Sequence, residues 1–189
     1  EAVSSFQRID DLIERMGAIT RQLKSYARKS GDALEPIDVR ESASSALSMM
    51  EPQLRQRNMA INSLLPREPV FVEADRIRLE QVLINLLRNA LDATKGVSDP
   101  EVNLIVSVSD EVLITVRDNG VGIDDLDSLF EPFYTTKAPG DGVGLGLAIS
   151  SGIVNDLGGR MTAKNGQSGG ALFEIRLPLA DIAAGQAAE

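Results

Sequence analysis

The chain has 189 residues, of which 43% are hydrophobic, and this is enough for one folded domain with an appendage. It has no cysteine, which excludes a disulfide framework and a thiolate metal site. A formal net charge of −9 argues against a surface that binds nucleic acid or an anionic membrane. The sequence has no apolar run of about 18 residues and no signal-peptide pattern, so no membrane-spanning helix is predicted.

The first 28 residues carry apolar side chains at spacings of three and four, which predicts an amphipathic helix for a bundle or coiled coil. We assign residues 1–30 to this helix and residues 31–36 to a linker, because Gly, Asp and Pro cluster there. The alternative is a helix that only packs on the domain that follows.

A mixed sheet with helices on one face, in a two-layer α/β (α+β) sandwich, is the fold expected for residues 37–180. Its first elements are a short strand near residues 37–39 and a helix at about 40–57, which Pro52 is expected to kink or interrupt. Strands near 59–64 and 70–73 follow. The Ala-rich tail, residues 181–189, is expected to be disordered.

Residues 76–94 have the apolar spacing of a helix, with a polar row on the opposite side. That row is Gln81, Asn85, Asn89 and Asp92, about one turn apart. Amide and carboxylate oxygens suit a hard cation such as Mg²⁺, which keeps several waters and bridges to phosphates. The alternative is an amphipathic surface helix, although Asn is a poor helix former.

Two apolar β-branched runs, residues 102–108 and 112–116, predict a hairpin that ends in Asp118-Asn-Gly-Val-Gly. Gly120 and Gly122 permit close backbone approach and positive φ. A carboxylate at this strand end can accept a hydrogen bond from an exocyclic amine, such as the adenine N6. The alternative is a plain Asp-Asn-Gly turn.

Residues 140–146 contain four glycines and lead into a predicted helix at 147–154. A glycine-rich loop that opens a helix offers free backbone N–H groups to a phosphate. This loop is not a Walker A motif, because no Lys-Ser/Thr follows the glycines, and no βαβ unit supports a dinucleotide motif. The alternative is a flexible loop before a helix.

The order of these blocks resembles the ATP-binding domain of sensor histidine kinases, a fold shared with DNA gyrase, mismatch-repair and heat-shock chaperone ATPases. Residues 85–92 resemble the N box, 118–122 and 142–146 the two glycine boxes, 130–137 the F box, and 169–178 the terminal strand. Asp92-Ala93 and the segment Phe-Tyr-Thr-Thr-Lys-Ala-Pro-Gly at residues 133–140 resemble the subgroup that includes nitrogen-regulation and C4-dicarboxylate sensor kinases. The resemblance covers about residues 36–179, and its motifs are jointly specific.

This resemblance implies a role for each block. Asn89 would ligate Mg²⁺ directly, Asn85 would hold the metal or its water, and Lys137 would reach the β- or γ-phosphate of ATP or ADP. Asp118 would bind the adenine amine, partly through water with Gly122. The other implied nucleotide contacts are Asp92, Gly120, Ile123, Phe130, Phe133, Thr136, Gly142, Val143, Gly144, Leu145, Gly146 and Leu147.

The resemblance also implies a mobile lid at residues 123–143, hinged at its glycines and anchored by Phe130 and Phe133. Two positions depart from the pattern. The terminal glycine box often reads Gly-Thr but is Gly170-Ala171 here, and many histidine kinases have a basic residue where this chain has Asp92. Lys137 or Arg88 would then supply the missing phosphate contact.

The implied activity is transfer of the ATP γ-phosphate to a histidine and then to a response regulator receiver domain. Residues 1–30 resemble the second helix of a dimerisation hairpin, but the chain has no histidine. We therefore expect the acceptor helix to be missing, and the chain to bind nucleotide without autophosphorylation. A homodimer is expected for the full protein, with this part in the cytoplasm beneath a membrane anchor that it does not itself contact.

Asn85 stands where ATPase relatives usually have a Glu that activates water. Since Asn cannot act as a general base, slow ATP hydrolysis is expected. The alternatives are an ATPase of the same fold and a non-catalytic module for dimerisation or nucleotide sensing.

Overall fold

The computed structural model describes residues 34–137, 143–167 and 169–181. The described helices are α1 (Val39–Arg57), α2 (Arg76–Ala93) and α3 (Gly146–Asp156). The described strands are β1 (Glu35–Asp38), β2 (Asn62–Leu64), β3 (Phe71–Ala74), β4 (Val102–Val108), β5 (Glu111–Asp118), β6 (Arg160–Asn165) and β7 (Ala171–Pro178). The helix predicted at 1–30, Gly142 and all but the first residue of the predicted tail lie outside these ranges. Within them, no helix is long and apolar enough to cross a membrane.

Five strands form one mixed sheet in the order β2-β4-β5-β7-β6. Strand β2 is parallel to β4, and the other neighbours are antiparallel. In the central strand β5, Val116 pairs with Leu104 on one side and Phe173 on the other. The predicted mixed sheet with helices is confirmed, whereas β6 and a separate two-stranded β1–β3 sheet were not predicted.

The core lies between the helices and one face of the five-stranded sheet. Alternate residues of β5, namely Val112, Ile114 and Val116, are buried, while the residues between them are half-buried. Helix α2 meets this face with a stripe of fully buried leucines, which includes Leu83 and Leu87. Burial of this stripe holds the polar row of α2 at a fixed position beside the sheet.

Strand β1 begins at Glu35, so the last two residues of the predicted linker belong to the folded domain. Pro36 pairs with Glu73 in the antiparallel β1–β3 sheet. Proline is tolerated here because a two-stranded sheet leaves the outer edge of each strand without a partner.

Helix α1 runs from Val39 to Arg57 without a break, so the expectation that Pro52 interrupts it is wrong. Its ends are fixed by caps: the Asp38 carboxylate accepts from the Arg40 N–H at 3.0 Å, and the N–H of the left-handed Asn58 donates to Arg55 O. The buried face of the helix continues up to Met50. Caps and burial therefore offset the hydrogen bond that proline removes.

We expect Pro52→Ala to stabilise the protein by about 1 kcal/mol, because it restores a helical N–H donor at an exposed position. The measurement is the free energy of unfolding in urea. Gln56→Ala, at an exposed position one turn later, is the control and should change it by less than about 0.5 kcal/mol. A loss of stability in Pro52→Ala would show that the proline ring itself supports the fold.

Candidate nucleotide-binding site

The polar row of α2 faces α3 and the segment that precedes it. Asn85 Nδ2 donates to Ser150 Oγ at 3.0 Å, and Asn89 Oδ1 accepts from Lys137 Nζ at 3.3 Å. A Cβ atom added at Gly146 would lie 2.5 Å from Asn85 Oδ1, so any larger residue here would displace the Asn85 side chain. The structure thus brings together the three residues predicted as catalytic with one of the predicted phosphate-binding glycines.

Asp118 lies at the end of β5 with only 2% of its surface exposed. Its Oδ1 accepts hydrogen bonds from the N–H groups of Gly120 at 2.8 Å and Ala171 at 3.2 Å. Burial raises the pKa of Asp118, and these two hydrogen bonds act in the opposite direction. Among the described residues no donor reaches Oδ2, which leaves that oxygen for a ligand amine.

Two close backbone contacts fix the loop after β5. A Cβ at Gly120 would lie 2.4 Å from Ala93 O, and the Val121 N–H donates to the same carbonyl at 3.3 Å. Gly170 has a φ of +74°, and a Cβ there would lie 2.0 Å from Asp118 O. These contacts join the ends of α2 and β5 to the start of β7.

Asn165, which the sequence did not single out, braces the first glycine box. Its Oδ1 accepts from the Ile123 N–H at 2.7 Å, and its Nδ2 donates to Ile123 O at 2.8 Å. Gly122 has a φ of +80°, and a Cβ there would lie 2.9 Å from Asn165 Oδ1. Because Asn165 is 42 residues away in the chain, no local pattern indicated this contact.

The residues before α3 form part of a backbone cradle. Gly144 has a φ of +71°, and its carbonyl accepts from the Phe133 N–H at 2.9 Å. Leu145 is buried and caps α3 without a side-chain hydrogen bond. Among the described residues no side chain caps the N–H groups of the first turn, which can therefore bind an anion. Val143 and Leu147 pack partly against the core.

The two predicted lid anchors behave differently. Phe130 packs against the core, as expected. The expectation for Phe133 is wrong, because 68% of this residue is exposed. Its positive φ of 69° and its hydrogen bond to Gly144 O fix the backbone, and the ring lies outside the core. Thr136 is also exposed.

The Asp92 carboxylate forms ion pairs with three cations. Lys137 Nζ lies 2.8 Å from Oδ2, while Arg57 and Lys95 both lie 3.0 Å from Oδ1. Burial raises the pKa of Asp92, but the hydrogen bonds from Lys137, Arg57 and Lys95 outweigh it and hold the pKa well below the usual range. Arg57 was not foreseen. Of the two expected substitutes, Lys137 lies beside Asp92 and Arg88 is exposed.

The donor set fits a magnesium nucleotide better than a protein cage for a metal. No group of three or more acidic, histidine or cysteine side chains within the described ranges is placed to hold a metal. The Asn89 amide oxygen instead offers one hard ligand, and Mg²⁺ commonly takes its others from phosphates and water. Open donors at the start of α3 and the free oxygen of Asp118 suit the two ends of a nucleotide.

The family model for histidine kinase-, DNA gyrase B- and HSP90-like ATPases matches residues 74–181. The chain belongs to this family. Its matched part begins at the last residue of β3 and ends with the described chain, so it contains all three motif blocks.

Named relatives within this family are sensor kinases. The C4-dicarboxylate transport sensor protein DctB of Pseudomonas aeruginosa is 38% identical over 94% of this chain and 30% of its own length. The chain therefore spans less than a third of that relative. The resemblance to sensor histidine kinases, including the C4-dicarboxylate subgroup, is confirmed.

Solved structures give the same result for the fold. The nucleotide-free catalytic domain of histidine kinase ThkA has a TM-score of 0.68 at 30% identity, covering 78% of this chain and 96% of that one. ThkA in complex with the response regulator TrrA has a TM-score of 0.74 at 26% identity, covering 91% of this chain and 49% of that one.

Proposed function

We propose that this domain is the ATP-binding catalytic part of a two-component sensor histidine kinase. It would pass the γ-phosphoryl group of ATP to a histidine outside this chain, from which a response regulator receiver domain collects it. One observation carries the proposal: α2 contacts both glycine boxes and the F box. Asn85 meets Gly146, Asn89 meets Lys137, and Ala93 meets Gly120 at the end nearest Asp118.

Each part of the proposed site binds a different part of the nucleotide. Asp118 Oδ2 accepts from the adenine amine, while its Oδ1 stays bound to the protein backbone. The N–H groups at the start of α3 and the Lys137 ammonium bind phosphate oxygens. Mg²⁺, held by Asn89 with support from Asn85, would neutralise phosphate charge during transfer.

We expect slow ATP hydrolysis because Asn85 has an amide group and not a carboxylate. Its amide lies against Ser150 and Gly146, and an amide cannot take a proton from water at neutral pH. The site would therefore keep ATP intact until an acceptor side chain is presented, which suits a kinase better than an ATPase.

The rest of the assembly is inferred from the sequence and the relatives. Residues 1–30 would be the second helix of a dimerisation hairpin in a homodimer, joined by a short linker to a catalytic domain that runs to about residue 180. The complex of ThkA with its response regulator supports a similar partner here. This domain would work in the cytoplasm as part of a membrane-anchored sensor.

The test has two stages. First, the chain is titrated by calorimetry with ADP and a non-hydrolysable ATP analogue, each with and without Mg²⁺. Second, ATP is added with a separately produced fragment that carries a candidate acceptor histidine, and phosphohistidine is measured. Binding followed by transfer supports the proposal. Steady ATP turnover without transfer favours an ATPase, and undetectable nucleotide binding favours a non-catalytic module.

A pH dependence follows from the raised pKa of Asp118. The ionised carboxylate is a much stronger acceptor for an amine than the protonated acid, so affinity for adenosine should fall as the pH is lowered through that raised pKa. Adenosine is the chosen ligand because it has no phosphate that titrates. The measurement is a series of NMR titrations from neutral pH downward. An affinity that stays constant until the protein unfolds would exclude an ionised Asp118 as the acceptor.

A further inference from the structure

Three cations from three parts of the chain converge on Asp92. Arg57 is the last residue of α1, Lys95 follows α2, and Lys137 comes from the segment between the glycine boxes. Arg57 also donates to the Leu91 carbonyl, which fixes it to the backbone of α2. We call these four charged residues the Asp92 cluster. Its three cations and one carboxylate give it a net charge of +2 in a chain of net charge −9.

Lys137 is held in this cluster with binding capacity to spare. An ammonium has three N–H donors, and two of them are directed at Asp92 Oδ2 and Asn89 Oδ1. No acceptor among the described residues takes the third donor, which can therefore bind a phosphate oxygen. If Asn89 Oδ1 engages a metal, a second donor is released while the shorter contact to Asp92, at 2.8 Å, still holds the ammonium.

We propose that Asp92 is a positioning residue for phosphate recognition, which holds the Lys137 ammonium beside Asn89 so that it meets the terminal phosphates of a bound nucleotide. The inference rests on the proposed function of the site. It also explains how a carboxylate can stand where many histidine kinases have a basic residue: Lys137 and Arg57 supply the positive charge, and Asp92 fixes its location.

If Asp92 acted only through its charge, its removal would change nucleotide affinity in the opposite direction. A carboxylate close to phosphates repels them, so its removal should tighten nucleotide binding if charge alone matters. If Asp92 positions Lys137, its removal should weaken binding, because the lysine must then be ordered by the ligand. The direction of the change therefore distinguishes a positioning residue from a repulsive one.

The experiment measures the affinities of Asp92→Asn, Lys137→Met and the double variant for AMP, Mg·ADP and a Mg-bound non-hydrolysable ATP analogue. We expect each single variant to weaken binding of the ATP analogue about tenfold, with a smaller effect on ADP and none on AMP. In the Lys137→Met background, Asp92→Asn should slightly raise the affinity for the ATP analogue. No lysine is then left to position, and the substitution removes only the negative charge of Asp92.

Asp156→Asn is the matched control. It makes the same chemical change in the ion pair between Asp156 of α3 and Arg78 of α2. It should leave all three affinities within about twofold. Thermal unfolding checks the fold of each variant. If Asp92→Asn does not fold, Asp92→Glu keeps the charge and displaces the carboxylate, and weaker binding of the ATP analogue is again expected.

Equal or tighter binding of the ATP analogue by Asp92→Asn, or by Asp92→Glu where that variant is used, would overturn the inference. So would an equal loss for AMP, or a loss that persists in the Lys137→Met background. These outcomes differ from a failure of the proposed function, which would appear in the unsubstituted chain as absent nucleotide binding or as ATP turnover without transfer to histidine.

Discussion

Asp118→Asn should lower the affinity for adenine nucleotides about 100-fold while the protein stays folded. The Asn Oδ1 can still accept from Gly120 and Ala171, so the contacts that hold the end of β5 remain. Its NH₂ group, however, replaces Oδ2 and would point one donor at another, the adenine amine. The loss is large because two buried donors then face each other without acceptors.

Calorimetry with Mg·ADP gives the affinity, and urea unfolding shows whether the fold is retained. Asp75→Asn is a suitable control, because the Asp75 carboxylate also accepts two backbone N–H groups, those of Ile77 and Arg78, at the start of α2. Asn caps helices about as well as Asp, so this variant should bind normally. Normal binding by Asp118→Asn would place adenine recognition elsewhere in the domain.

Gly170→Ala should destabilise the protein by about 3 kcal/mol and also weaken nucleotide binding. The added Cβ would lie 2.0 Å from Asp118 O, and a φ of +74° is already unfavourable for alanine. The clashing atom belongs to the backbone, so it cannot move without shifting the end of β5. That shift would displace the Asp118 carboxylate.

Substitutions of two other glycines distinguish the steric clash of the added Cβ from the backbone strain of a positive φ. Gly169 has a φ of +93° with open space at its Cβ position, so Gly169→Ala should cost only about 1 kcal/mol from backbone strain. Gly152 lies within α3, also with open space, and Gly152→Ala should stabilise the protein by up to about 1 kcal/mol. Unfolding free energies in urea test the order of the three variants. Equal costs at positions 169 and 170 would refute the clash.

Strong periodicity is the reason that part of the fold could be predicted. The stripe of leucines located α2 to within one residue, and the apolar run of β4 has the predicted bounds, Val102–Val108. Strand β6 was missed because it carries Arg160, Thr162 and Lys164 on its exposed side and buries only Met161. The alternation is present, but with only Met161 and Ala163 as apolar residues and few β-branched or aromatic side chains the signal for a strand is weak.

The candidate site divides in the same way. Asn89, Lys137 and Asp118 could be named because their motifs are local in sequence. The Arg57–Asp92 pair joins residues 35 apart, and the Asn165–Ile123 pair joins residues 42 apart, so only the fold could reveal them. The exposed ring of Phe133 depends on a positive φ that sequence does not indicate for a phenylalanine.

The hydrogen bond from the Ala171 N–H to Asp118 joins residues 53 positions apart in the chain. The proposed adenine end of the site is therefore complete only when β7 has folded against β5. Strand β7 inserts between β5 and β6, so the central strand gains its second neighbour only after the later part of the domain has been made. During synthesis, the earlier motifs can therefore form helix and hairpin before any of them can select a base. If Asp118 selects adenine, as we propose, ligand recognition requires β7 to be docked beside β5, and we expect it to arise late in folding.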